Sequence, residues 1–358
     1  MTRRRTGRAQ AWAELLRVSA LFSVPGDALA GAAAAGVRPG RGTLCAIGAS
    51  LCLYEAGMAL NDWADRAEDA AERPHRPLPS GRIAPSAALA ASAALTAAGL
   101  ALASRAGRPP LAVATALAAT VWAYDLGLKH TPAGPGTMAT ARALDLLLGA
   151  TASTGGNRGP HHRALHALPS AALLGAHTYA VTAVSRHETQ GGSTRTPLAA
   201  LAVTLAVAGA ASGEVLGARP TTTVSTPSGP PAPAPHPHPA LPSGRTLPST
   251  PPLPSTPPLP ASRPLPSRPP RPSRRSVPSR GLGSLLALAY ARTPATLLLH
   301  AALNPSAALT ERAVGGGIRA TIPLQAALAA RAGAPGTALA LLGLVPAARA
   351  LARKVSPT

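Results

Sequence analysis

The segment "AALAASAALTAAGLALA", residues 87 to 103, carries no charged side chain at any helical position. A helix in water needs one polar face, and here every face is apolar. "PLAALAVTLAVAGAA", residues 197 to 211, repeats the property. Apolar segments recur at 18–36, 42–60, 84–104, 109–127, 135–154, 164–184 and 195–217, and again at 283–303, 314–332 and 335–352. Each approaches the roughly 20 residues that cross a bilayer as a helix. The 283–303 segment is the weakest, because Arg292 and Pro294 interrupt it. Charged residues make up 13% of the chain, about half the usual share. These patterns predict an all-α, polytopic membrane helical bundle. A soluble Ala-rich bundle is the alternative, and the missing charged faces count against it.

The net charge of +21 raises nucleic acid or anionic lipid as partners. Its placement argues for membrane lipid and against nucleic acid. Lys and Arg sit at the N-terminus, between apolar segments, in a Pro-rich tract and near residue 358, and no basic face is interleaved with aromatics, as single-strand binding would need. Basic loops of a bilayer protein gather on its cytoplasmic side. With Arg3, Arg4, Arg5 and Arg8 there, the loops carrying Arg66, Arg73, Arg76, Arg82, Lys129, Arg186 and Arg195 share that side. The expected location is the plasma membrane, as an integral protein with a retained cytoplasmic start. Cys45 and Cys52, seven residues apart on one helix, stand about 10 Å apart, too far for a disulfide.

Residues 218–282 form a low-complexity tract, "LPSTPPLPSTPPLPASRPLPSRPPRPSRRSVPSR" at its heart. Proline at this density favours extended or disordered chain. The expected organisation is thus 1–217 as an N-terminal membrane bundle, 218–282 as a Pro-rich insert, and 283–358 as helices completing the same bundle.

The densest charge lies at "NDWADRAEDAAERPHRPLPSGRI", residues 61 to 83. At about 100° per residue, Asp62, Asp65 and Asp69 fall within roughly 60° of arc. Stacked like charges repel, and a divalent cation relieves them. Hard oxygen donors suit Mg²⁺, which commonly shares carboxylates with substrate phosphates. Arg73 and Arg76, set among prolines and a Gly turn, present guanidinium groups suited to an anion.

N-D-x-x-D-x-x-x-D followed by R-P-x-R-P-L-P-S-G-R-I resembles the first signature of the UbiA superfamily of intramembrane prenyltransferases. "YDLGLKH" is similar to that family's Tyr-to-Lys motif, "LLRVSALFSVPGDALAG" to its first helix, and "ERAVGGGIRATIPLQAALAARAG" to its penultimate one. Among subgroups the chain looks most like the EboC-like UbiA proteins. The resemblance implies about nine transmembrane helices around a cavity where Mg²⁺ and an isoprenoid diphosphate meet and a prenyl group passes to an aromatic or lipid acceptor. By position, Asn61, Asp62, Asp65 and Asp69 would serve the metal. Arg17, Arg73, Arg76, Tyr124 and Lys129 would bind substrate, with Asp62, Asp65 and Lys129 central to catalysis. An alternative within the family is a non-catalytic membrane protein that binds or helps move an isoprenoid-linked metabolite.

The sequence departs from the family at its second motif. "SRHETQGGSTRT", residues 185 to 196, retains one carboxylate, Glu188, as metal ligand, with Arg186 beside it for phosphate. Asp27, Glu55 and Asp145 lie within spans, where an exposed acid at mid-depth costs about 2.5–3.5 kcal/mol. Each is expected to face the cavity or a partner, and Arg142 is a local candidate partner for Asp145. The aromatics available to a carbocation are Tyr54, Trp63, Trp122, Tyr124 and Tyr179.

Overall fold

The computed structural model describes residues 2–17, 23–155, 162–187, 193–213 and 278–355, and among them every regular element is helical. In chain order these are α1 (Thr2–Leu15), α2 (Val24–Ala34), α3 (Arg41–Ala64), α4 (Arg66–Glu72), α5 (Pro85–Ala106), α6 (Arg108–Ala123), α7 (Gly134–Ser153), α8 (His162–Leu165), α9 (Leu168–Ser185), α10 (Arg195–Ser212), α11 (Pro278–Leu303), α12 (Ala307–Arg331) and α13 (Pro335–Val355). A π-helical turn, Tyr124–Leu128, extends α6. Proline occupies the first turn of α2, α5, α6, α7 and α9, where its missing N–H has no intrahelical role.

Among the described residues, six helical stretches are long and apolar enough to span a bilayer: Arg41–Ala64, Pro85–Ala106, Arg108–Leu128, His162–Ser185, Arg195–Ser212 and Gly281–Leu303. Only 22% of the apolar window of α5 is buried, so most of an uncharged helix faces outward. Leu285, Leu288 and Leu303 on α11 are likewise exposed. Such a surface belongs in lipid rather than water, and the protein is an integral membrane protein. The segment expected to be weakest forms a continuous helix, which begins at Pro278, ahead of residue 283. Arg292 is exposed and Pro294 is accommodated within the helix, as membrane helices allow when neighbours surround the freed carbonyl. Both cysteines are free.

Segments Met1–Leu216 and Ser276–Thr358 form one compact unit, with α10 packed on α11 and α11 on α12. Most of the Pro-rich tract lies outside the described residues. The interior is built from small side chains: Ala30, Ala150, Ala171 and Ala326 surround Leu146, Leu174 and Leu324. Small residues let membrane helices approach until their backbones touch. A Cβ at Gly31 of α2 would lie 2.0 Å from the Leu146 carbonyl oxygen, and one at Gly149 of α7 would lie 2.3 Å from the Ala28 Cα. Gly149→Val is therefore expected to destabilise the protein by about 1–3 kcal/mol. A lowered thermal midpoint in detergent would report this, whereas Gly209→Val, at an open position, should leave the midpoint unchanged.

The close α2–α7 contact organises the buried charges. Arg142 of α7 pairs with Asp27 of α2 at 2.9 Å, so the local Arg142–Asp145 pair suggested by sequence spacing gives way to an interhelical one. Gln325 of α12 donates from Nε2 to Asp27 Oδ1 at 2.6 Å and to the Ser23 carbonyl at 2.7 Å. Asp145 instead accepts a hydrogen bond from Ser50 of α3. A second buried network joins α9, α11 and α12: His177 lies 3.0 Å from the Tyr290 hydroxyl and 3.1 Å from the Gly317 carbonyl.

Candidate active site

The acidic stretch is held where α3 passes into α4. Asp65 forms a one-residue break with φ −86° and ψ 6°, yet its N–H still reaches the Asn61 carbonyl at 2.9 Å, and the Asp69 N–H reaches the Asp65 carbonyl at 2.8 Å. Helical bonding thus runs almost unbroken through the three acids. Asp62 is 4% exposed and Asp69 2%. Buried carboxylates require partners, and the following loop supplies them. Arg76 lies 2.8 Å from Asp69 Oδ2 and 3.6 Å from Asp62 Oδ1, while Arg73 lies 3.4 Å from Asp69 Oδ1. Arg17 reaches Asp62 Oδ1 at 3.2 Å.

Local chemistry fixes each of these bases. In the loop, Ser80 Oγ donates to the Arg76 carbonyl at 2.6 Å and the Ile83 N–H to the Pro77 carbonyl at 3.1 Å. Gly81 adopts φ 71°, which a side chain would disfavour. Arg82 donates to the His75 carbonyl at 2.7 Å and pairs with Glu14 of α1 at 2.7 Å, tying α1 across the loop. Arg17, just past α1, has φ 47°, a left-handed conformation costing about 1–2 kcal/mol.

The π-helical turn brings the second set of groups. The Lys129 N–H bonds the Tyr124 carbonyl five residues back at 2.9 Å, and the Lys129 side chain pairs with Asp65. Asn61 Nδ2 donates to the other Asp65 oxygen at 3.2 Å. Tyr124 is half-buried on the same turn. Arg186 donates to the Thr131 carbonyl, on the loop that follows the π-helical turn. His187 Nε2 lies 3.3 Å from Thr196 Oγ1, whereas Glu188 lies outside the described residues.

Three residues that sequence reasoning missed join this end of the bundle. Asp125, 5% exposed, sits within electrostatic reach of Lys129, Asp65 and Asp62. Glu68 and His130 bring ligand atoms within 4.8 Å of those of Asp65. The signals were present, since Glu68 lies inside the acidic stretch and Asp125 and His130 inside "YDLGLKH". Of the aromatics, Trp63 carries Arg66 at 4.6 Å from its ring centroid, and Trp122 donates to Thr96 at 3.1 Å. A cavity of about 270 Å³ opens among Glu14, Arg17, Asp62, His75, Arg76 and Pro77.

The donor set is chemically suited to a divalent cation, because ligand atoms of Asp65, Glu68 and His130 lie within 4.8 Å of one another, about one turn from Asp62 and Asp69, which are paired with arginines. The model of the UbiA prenyltransferase family matches residues 20–216. The chain belongs to the UbiA prenyltransferase family. Family members use Mg²⁺ through acidic motifs of this kind, in keeping with the donors assembled here. Among its relatives is a digeranylgeranylglyceryl phosphate synthase from Methanopyrus kandleri, 34% identical over 128 residues, covering 34% of this chain and 45% of the relative. Another of the same name, from Korarchaeum cryptofilum, is 34% identical over 149 residues, covering 41% and 53%. The chain thus spans about half the length of the curated relatives it matches. Solved structures share the UbiA fold. One, from work on digeranylgeranylglyceryl phosphate synthase in membranes, gives a TM-score of 0.54 at 13% identity, covering 91% of this chain and 98% of the other. The apo structure of a UbiA homolog from Aeropyrum pernix K1 gives 0.54 at 15% identity, covering 90% and 96%.

Proposed function

We propose that this UbiA-family chain transfers the prenyl group of an allylic isoprenoid diphosphate to a hydrophobic acceptor. The observation that carries the reading is the interleaving of Asp62, Asp65 and Asp69 with Arg17, Arg73, Arg76 and Lys129 at one end of α3. Asn61, Asp62, Asp65, Glu68 and Asp69 would hold Mg²⁺, with Glu188 as a further ligand. When bound, the cation supplies Lewis-acid stabilisation of the leaving diphosphate. Arg17, Arg73, Arg76, Lys129 and Arg186 would grip phosphate oxygens through charge-assisted hydrogen bonds, and Tyr124 would border the same ligand. These groups oppose the negative charge that develops as the allylic C–O bond breaks. The freed allylic cation then bonds to the acceptor, which gives up a proton. Arg186 and His187 would bind phosphate directly, in place of a cation that the second motif's missing acids would have held.

The relatives' names favour a lipid acceptor over an aromatic one. The basic loops favour the cytoplasmic face of the plasma membrane for the site. About nine spans formed by 1–217 and 283–358, interrupted by the 218–282 insert, complete the proposed topology. Purified protein given geranylgeranyl diphosphate and a lipid alcohol acceptor is expected to release diphosphate only with Mg²⁺, and EDTA should stop the release. Retention of the labelled donor without release would instead identify a non-catalytic isoprenoid-binding protein.

A further inference from the structure

We propose that Glu55 recognises the acceptor by accepting a hydrogen bond from its hydroxyl, a reading that rests on prenyl transfer as proposed above. Of the three acids placed within spans, two have partners in the bundle. Asp27 is held by Arg142 and Gln325, and Asp145 by Ser50. Glu55 is only 8% exposed, yet neither of its carboxyl oxygens has a hydrogen-bond partner among the described residues. Burying a carboxyl in apolar surroundings without a partner is unfavourable, and native structures rarely leave such groups unsatisfied. A ligand that brings a donor resolves the deficit.

The position of Glu55 on α3 identifies which ligand. Seven residues, about two helical turns, separate it from Asp62, which puts both on one side of α3 about 20° apart and sets Glu55 about 10 Å deeper along the axis. Two other sides of α3 are engaged: Gly57 and Ser50, seven residues apart on one side, meet Val121 of α6 and Asp145 of α7, and on another the Ala56 carbonyl accepts from Ser92 of α5. Glu55 therefore belongs to the side of α3 that carries Asp62, displaced about two turns toward the middle of the span. That is where a nucleophile must stand to meet the prenyl carbon as diphosphate departs toward Asp62. A carboxyl group there selects an alcohol or phenol, because a ligand lacking the O–H leaves it unpaired.

Matched probes test this on the full chain in detergent: 4-dodecylphenol and its methyl ether, 4-dodecylanisole, which lacks the donor. Equilibrium dialysis is expected to show the phenol binding about 10- to 100-fold more tightly to the wild-type protein. Glu55→Leu should bind both equally and, freed of an unpaired buried acid, unfold at a higher temperature without ligand. Glu55→Gln, which keeps an acceptor oxygen, should retain part of the preference. Equal binding of the two probes by the wild type, a preference that survives in Glu55→Leu, or a lower unfolding temperature for that variant would overturn the proposal. The last outcome would mark a structural role. Mg²⁺-dependent binding of geranylgeranyl diphosphate, followed on the same proteins, should not change with Glu55. Its absence from the wild type would overturn the transfer reading and, with it, the acceptor role, while the probe preference would still show whether Glu55 receives a hydroxyl.

Discussion

Asp62→Ala is expected to slow Mg²⁺-dependent diphosphate release by about 10²–10³-fold, the usual effect of removing one charge-stabilising group from a reacting centre. Asp62 is the acid toward which two guanidinium groups from separate elements converge, Arg17 beyond α1 and Arg76 after α4. Its loss removes a carboxylate proposed for the cation and also frees both bases from their register. Asp62→Asn separates the two effects, because it keeps the shape and a hydrogen-bonding oxygen while deleting the charge. The Asn variant should need a higher Mg²⁺ concentration for half-maximal release and keep an ordinary thermal midpoint. If release by Asp62→Ala stayed within threefold of wild type, the metal site would have to be sought at Asp65, Glu68 and His130 alone.

The second large effect concerns folding. Arg142→Met should cost about 3–5 kcal/mol, the range for stripping one partner from a buried ion pair. Asp27 is fully buried, and Gln325 contributes a neutral hydrogen bond but no charge. Combining Arg142→Met with Asp27→Leu should restore most of the stability, because both charges are then gone. Thermal unfolding in one detergent, read for wild type, the single variant and the pair, decides the matter. A single variant as stable as wild type would mean that Arg142 does not neutralise Asp27.

The membrane helices were legible because lipid acts directly on composition. A stretch such as residues 87–103, with no charge on any face, has few other uses, and α5 buries little of it. The acids and bases of the α3–α4 junction were legible for a similar reason: like charges a turn apart need an explanation, and the arginines follow within a few residues. Contacts between distant helices were not. Spacing on α7 favours Arg142 beside Asp145, and only the backbone approach at Gly31 and Gly149 shows that α2 lies close enough to claim the arginine. Asp125 escaped notice because its burial depends on a π-helical turn, a five-residue hydrogen-bond spacing that hydrophobic periodicity does not register. Glu55 could be read as an acid in an apolar span, but its lack of a hydrogen-bond partner among the described residues is a property of the folded helices.

The hydrogen bond between Asp27 and Gln325 spans 298 residues of chain. At ribosomal rates of about 5–20 residues per second, the amide emerges about 15–60 s after the carboxyl it will satisfy. During that interval α2 carries an acid whose final environment does not yet exist. α2 can meet α7 and Arg142 early, but the bond from the Gln325 amide closes only when α12 arrives, so a ribosome that stalls before residue 325 leaves Asp27 without that second partner.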